Sequence, residues 1–235
     1  MEKKQDIGDM RKAYKGPQEK LVESEIEVKE PFDLFHKWFE GAKAKAASFE
    51  EANSMYLSTA TREGRPSCRL VLLKRYGPEG FEFFTNYNSR KGLELAENPY
   101  AALTFYYPKT NRSIRVEGSV EKVSEAESEE YWKRRPPSSQ ASAAASDQSK
   151  PIPSKDFIEA KIADIKVAYT DQEKPIPKPS FWGGYLVKPS QWEFWQGQTD
   201  RCHDRIQFRR LKDGESTNDI VKQGLNNWVY ERLSP

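Results

Sequence analysis

Apolar positions along this chain switch from helical spacing to alternation and back again. Phe32, Phe35, Trp38 and Phe39 follow Pro31 at helical spacing and predict a core-facing helix that ends near Ala47. From Met55 to Tyr76 the period falls to two. The run MYLSTATREGRPSCRLVLLKRY reads as two strands around a turn at Arg62–Pro66, and GFEFFTN as a third. Ser89 is placed to cap a short helix that stops at Asn98–Pro99. YAALTFYYP and RSIRVEGSVEKV supply two further strands. Helical patterning returns at Ser124–Arg134, where Ser124 and Glu127 have capping-box spacing, and at Ser154–Asp171, with Ile158, Ile162, Ile165 and Tyr169 on one side. Residues 136–153 read as a loop or broken helix, and KPIPKPS as an extended linker. The last part returns to strands at GYLVKP, QWEFWQ, HDRIQFRR and NWVYERL, with a hairpin excursion over 211–225.

Strands joined by short turns, with helices appended, predict an α+β fold dominated by an antiparallel barrel with peripheral helices. Strands and helices do not alternate regularly, which disfavours a doubly wound sheet. Residues 1–30 are highly charged and lack apolar periodicity, so they read as a mobile N-terminal arm before a single domain over 31–235.

Charge narrows the partners. Lys plus Arg number 38 and Asp plus Glu 36, a formal charge of +2. So even a balance gives no global field for nucleic acid or an acidic membrane, and any anion site must be a local cluster. Two cysteines and two histidines leave no metal spacing and no disulfide framework. The N-terminus lacks an apolar signal region, and no run approaches the roughly 20 apolar residues of a bilayer span. The expectation is a soluble cytoplasmic protein.

Four clusters carry candidate chemistry. If RCHDRIQFRR is a strand throughout, Arg201, His203 and Arg205 share one face, and three basic groups in line invite an anion. A charged, solvent-exposed edge strand is the alternative. In NSRKG, a cap at Ser89 puts Arg90 and Lys91 in a first helical turn, where the macrodipole disfavours cations unless an anion binds there. A solvated basic pair at the start of a surface helix fits equally well. In SCRLVLLKRY, apolar residues on both faces predict a buried strand, with Arg69 and Lys74 near its ends as ligand contacts or as snorkelling chains. In YWKRRPPSSQ, Tyr131 and Arg135 are neighbours on a helix face, and Ser138 and Ser139 follow a proline pair. All are standard phosphate donors, although basic helix ends are common. Neither a Rossmann fingerprint nor a Walker loop is present.

These motifs together resemble the pyridoxine (pyridoxamine) 5′-phosphate oxidase family. WEFWQGQTDRCHDR (192–205), RLVLLK (69–74), FFTNYNSRKG (83–92) and DQSKPIP (147–153) carry the likeness, which runs from about Met10 to Pro235. The resemblance implies an FMN-binding split barrel acting as a homodimer with flavin sites at the interface. It also implies oxidation of pyridoxamine 5′-phosphate and pyridoxine 5′-phosphate by oxygen to pyridoxal 5′-phosphate, with release of hydrogen peroxide. Arg69, Arg90, Lys91 and Ser149 would hold the flavin phosphate or ribityl chain, with Gln148 nearby. The backbone of Leu70, Val71 and Leu72, with Phe84 and Thr85, would line the rest of the flavin, and Trp195 and Arg205 would complete its pocket. Lys74, Tyr131, Arg135 and Ser139 would bind the substrate phosphate. Arg201 and His203 would bracket the substrate ring, and Arg11 and Tyr14 would cover it. Cys202, Trp192 and Ser113 depart from the family pattern. Ser113 stands where a glutamine usually reaches the flavin ring. A non-catalytic flavin or pyridoxal phosphate carrier on the same barrel is the alternative.

Overall fold

The computed structural model describes Tyr14, Ile26 and residues 20–23, 29–48, 50–169 and 174–235. Its chain clusters into two units. One comprises Asn53–Phe105 and Arg115–Gln191, the other Met1–Ala52, Tyr106–Ile114 and Trp192–Pro235.

In the first unit alternation sets the sheet. β1 (Ser54–Ala60) buries Met55, Leu57 and Thr59 and turns Tyr56 outward. It pairs antiparallel with β2 (Pro66–Leu72), Leu57 opposite Arg69, and on its other side with β5 (Tyr100–Tyr107). From β5 the strand order continues to β6 (Arg112–Lys122) and β7 (Trp182–Gln196). β3 (Arg75–Gly77) pairs with β4 (Gly80–Asn86), and β4 with β7, Thr85 opposite Gly183. The two strands expected at 184–189 and 191–196 are thus one strand of 15 residues. Pro189 does not break it.

β2 corrects another expectation. Its apolar run predicts burial, yet Leu70 is 59% exposed. The strand ends the sheet order, with β1 its hydrogen-bonded strand neighbour among the described residues.

Three helices border the first unit's pocket. α2 (Arg90–Glu97) is capped by Ser89, whose hydroxyl accepts from the Gly92 N–H. A Cβ at position 92 would lie 2.1 Å from the Tyr87 carbonyl oxygen, so only glycine lets this helix start so close to the preceding turn. α3 (Glu125–Arg134) begins with the expected Ser124–Glu127 capping box. α4 (Pro137–Ala145) is a regular helix where the sequence pattern left a loop or broken helix, since proline at N1 starts it and alanines sustain it. α5 (Lys155–Ala168) is capped by Ser154. Trp132, Ala141, Ile176 and Trp182 form the core beneath α3 and α4.

The second unit packs α1 (Pro31–Lys45) with the end of β7, β8 (Asp204–Arg210), β9 (Lys222–Gln223) and β10 (Trp228–Arg232). The carboxylate of Glu30 accepts from the Phe32 and Asp33 N–H groups and caps α1. Trp38 meets Phe194 edge-on at 5.3 Å, and Phe32 meets Trp192 at 4.8 Å. Trp192 is fully buried, so its bulk is taken up as core.

Candidate active site

A cavity of about 740 Å³ opens in the first unit, within the size range of small-molecule sites. β2 contributes Arg69, Leu70, Val71 and Leu72 to its lining, and β4 contributes Phe84 and Thr85. Arg90 and Lys91 enter from the first turn of α2, Gln148 and Ser149 from the turn after α4. Lys74, Tyr131, Arg135 and Ser139 line the same cavity. Fourteen candidate residues from four separated sequence motifs therefore meet in one place.

The cationic residues from β2 and α2 fall into two hydrogen-bonded clusters, one around Lys91 and one around Glu94. Lys91 is buried, and its Nζ donates to Gln148 Oε1 at 2.9 Å, Ser89 Oγ at 3.1 Å and Thr85 Oγ1 at 3.2 Å. All three acceptors are neutral. Burial, reinforced by the nearby Arg69 charge and only partly offset by Glu94, lowers the Lys91 ammonium to about 8. Arg69 donates to the Leu57 carbonyl at 3.1 Å, to Thr59 Oγ1 at 2.6 Å and to Ser67 Oγ. Its Nη2 lies 3.4 Å from Glu94 Oε2, and Arg90 Nε donates to Glu94 Oε1 at 2.9 Å.

Glu94 is the buried residue that the sequence reading missed. Burial alone would raise its carboxyl. The Ser67 and Thr59 hydroxyls, with the Arg90 and Arg69 guanidiniums, overcome that and hold it at about 2. The signal was present in Arg90 and Glu94 at i, i+4, but nothing in the pattern showed that the glutamate faces inward.

Tyr131 and Arg135 sit on an aromatic ladder. Tyr131 stacks on Phe84 at 4.0 Å, and Phe84 on Trp182 at 5.6 Å. The Arg135 guanidinium lies 4.9 Å over the Trp182 ring and donates to the Ser139 carbonyl at 3.1 Å. Its Nε is buried with no acceptor among the described residues. Ser149 is held at φ 72°, a left-handed conformation unusual for a residue with a side chain.

Other candidates lie in the second unit. Tyr14, Trp195 and His203 form an aromatic cluster, with ring centroids 6.2 Å (Tyr14–Trp195), 6.0 Å (Tyr14–His203) and 4.8 Å (Trp195–His203) apart. The Arg201 guanidinium lies 5.6 Å over the Tyr14 ring. His203 Nδ1 accepts from the Gln198 backbone N–H at 3.0 Å. Its imidazole is pushed down by burial and by the Arg201 charge, against the pull of Asp200 and Asp204. Arg205 Nε donates to Glu193 at 2.8 Å and its Nη1 to the Ser234 carbonyl at 2.7 Å. Ser113 lies half-buried in β6.

A family model described as pyridoxamine 5′-phosphate oxidase matches residues 42–169, and one described as the pyridoxine 5′-phosphate oxidase C-terminal dimerisation region matches 182–235. The chain belongs to the pyridoxamine 5′-phosphate oxidase family. The pyridoxine/pyridoxamine 5′-phosphate oxidase of Bombyx mori is 48% identical over 98% of this chain and 90% of its own length. The pyridoxine-5′-phosphate oxidase of Bos taurus is 47% identical over 98% and 88%. Among solved structures, PhzG from Burkholderia lata 383, in complex with tetrahydrophenazine-1-carboxylic acid, superposes with a TM-score of 0.78 at 26% identity, covering 94% of this chain and all of its own. A pyridoxamine 5′-phosphate oxidase-related, FMN-binding protein from Nostoc punctiforme shares the fold, with a TM-score of 0.63 at 18% identity, covering 86% of this chain and 97% of its own.

One reading of this oxidase-family chain needs correction. Arg201, His203 and Arg205 do not share a strand face, because β8 begins only at Asp204. Arg201 sits in a bend at φ 71°. The Arg201 N–H donates back to the Gln198 carbonyl at 3.2 Å, closing a turn where the alternating pattern suggested extension. Cys202 is exposed in that bend. Arg11 lies outside the described residues.

Proposed function

We propose that this chain oxidises pyridoxamine 5′-phosphate and pyridoxine 5′-phosphate to pyridoxal 5′-phosphate, with FMN as cofactor and oxygen as the final acceptor. The observation that carries this reading is one cavity holding two phosphate-type donor sets, Arg69, Arg90, Lys91 and Ser149 beside Lys74, Tyr131, Arg135 and Ser139. A phosphorylated cofactor and a phosphorylated substrate together need two such sets. The match to the family's C-terminal dimerisation region supports a homodimer, and the free thiols of Cys68 and Cys202 support a reducing, cytoplasmic setting.

The residues present fit a flavin phosphate. Lys91 is a buried cation whose acceptors among the described residues are neutral, Arg90 opens a helix whose first turn lacks an acidic residue, and each would be stabilised by an anion. Bound there, the flavin supplies a hydride acceptor that oxygen reoxidises, forming hydrogen peroxide. The protein supplies position and field. Arg69 and Lys91 fix the cofactor phosphate. Arg135 and Lys74 take the substrate phosphate, which orients the carbon to be oxidised. Arg201 holds and polarises the substrate, and His203, whose Nδ1 accepts a backbone N–H, offers Nε2–H when neutral.

Purified protein should show flavin absorbance and release peroxide on addition of pyridoxamine 5′-phosphate. Flavin without peroxide would leave a carrier, and neither signal would end the proposal. Arg201→Ala should lower turnover sharply with flavin retained.

A further inference from the structure

We propose that Gln198 is the positioning residue that sets both Arg201 and His203, a proposal that rests on the substrate-facing roles given to those two side chains. Gln198 touches each of them through a different group. Its backbone N–H donates to His203 Nδ1 at 3.0 Å, and its carbonyl accepts the Arg201 N–H at 3.2 Å. The first bond fixes which ring nitrogen of a neutral His203 carries the proton, namely Nε2. The second closes the turn that keeps Arg201 in its left-handed conformation. A residue with a side chain stays at such a φ only when its surroundings hold it there.

The side chain of Gln198 ties this backbone to the sheet. Its Nε2 donates to Asp204 Oδ2 at 2.7 Å, and Asp204 is the first residue of β8. Asp204 is buried and held from two other sides, by Arg232 Nη1 at 2.8 Å and by the Leu21 N–H at 3.2 Å. Arg232 ends β10 and is gripped in turn by both carboxylate oxygens of Glu23 at 2.9 Å. The Gln198 side-chain amide therefore joins the bend at Gln198–His203 to the network of Asp204, Arg232 and Glu23. Aromatic contacts from Tyr14 and Trp195 place the His203 ring, but they do not select its tautomer.

The charged groups facing His203 are Arg201, Asp200 and Asp204. Neither aspartate takes the bond at Nδ1, which is occupied by the Gln198 N–H. If the bend loosens, that donor is lost and proton binding at Nδ1 becomes easier. His203 should then titrate higher. A residue that merely stabilised the fold would not produce that change.

The test uses the flavin-loaded full chain in three forms, wild type, Gln198→Ala and Gln198→Met. The methionine variant keeps the volume while removing the donor, so it serves if the alanine variant folds poorly. Circular dichroism and bound flavin check the fold. Both variants should lose about 10- to 100-fold in kcat, the scale expected for displaced catalytic groups. Flavin content should be unchanged, because the flavin donors are other residues, and kcat should fall by more than KM for pyridoxamine 5′-phosphate rises, because the phosphate donors keep their places. The chain has two histidines, so a His36→Asn background leaves His203 as the single imidazole in an NMR titration. Its midpoint should rise in both glutamine variants. Wild-type kcat together with an unmoved His203 midpoint would overturn the inference. Because the titration needs no turnover, a shifted midpoint would still support positioning by Gln198 even if Arg201→Ala and His203→Asn kept full activity, a result that would sink only the substrate-facing roles.

Discussion

Lys91 Nζ lies 2.9 Å from Gln148 Oε1, so the first turn of α2 and the turn after α4, 57 residues apart, meet over one ammonium. No carboxylate among the described residues accepts from this lysine, and burial holds it at about 8. The sign of its pH linkage follows. Between about 8 and its ordinary value of 10.5 the unfolded chain binds more protons at Lys91 than the folded chain, so this residue adds stability as pH rises through that window. Binding of a phosphate has the opposite sense, because it draws the proton back. FMN affinity of the flavin-free protein should therefore fall above pH 8, by at most about tenfold per pH unit. Riboflavin, which lacks the phosphate, should not show this dependence, and Lys91→Met should flatten it for FMN. Quenching of flavin fluorescence at pH 7 and pH 9 measures all three. Equal slopes for FMN and riboflavin would refute the assignment.

Arg135 should behave as a residue that lysine cannot replace. Its guanidinium lies 4.9 Å over the Trp182 ring, and its buried Nε has no acceptor among the described residues. A planar fork can stack and donate at once, while an ammonium cannot. Both Arg135→Ala and Arg135→Lys should raise KM for pyridoxamine 5′-phosphate by about 10- to 100-fold, the equivalent of roughly 1.5–3 kcal/mol for charge-assisted bonds. The change in kcat should be smaller. Steady-state kinetics decides it, and a lysine variant with wild-type KM would contradict the role.

Glu94 should govern the acid limit of stability. Its folded value of about 2 lies below the ordinary 4.5, so its contribution is fully present above about 4.5 and is lost as pH falls toward 2. The contribution at neutral pH is about 3 kcal/mol. Glu94→Gln should flatten the fall of Tm between pH 5 and pH 3 relative to wild type. Calorimetry across that range provides the check, and parallel wild-type and variant curves would rule it out.

Much of this arrangement could be read from the residues. The strand edges at Gly80–Asn86, the cap at Ser89 and the box at Ser124–Glu127 follow from local patterns, and the structure repeats them. Arg90 and Arg135 stand out beside the Ser89 cap and the Pro136–Pro137 pair, and Arg69 near the end of an apolar strand run, and all three line one cavity. Three features were not legible. The burial of β2 was misjudged because alternation reports which face is apolar, not whether the sheet continues beyond the strand. The bend at Arg201 was missed because Gln198 closes it through backbone groups, which every residue carries. Glu94 was missed because a buried carboxylate surrounded by cations has the same local sequence as an exposed i, i+4 ion pair.

Ser149 separates strain from chemistry at the cavity. A serine at φ 72° carries a backbone cost that glycine does not, on the order of 1–2 kcal/mol. Glycine returns part of that gain through the greater freedom of its unfolded chain. Ser149→Gly should therefore be slightly stabilising, by about 0.5 kcal/mol, which is roughly 1–2 °C in Tm for a chain of this size. Ser149→Ala keeps the strain and should leave Tm near wild type, while Ser149→Val should lower it. If the Ser149 hydroxyl holds the flavin phosphate, the glycine and alanine variants should both weaken FMN retention on gel filtration in spite of their different Tm values. Stability and retention moving together across the three variants would instead assign Ser149 a purely conformational part.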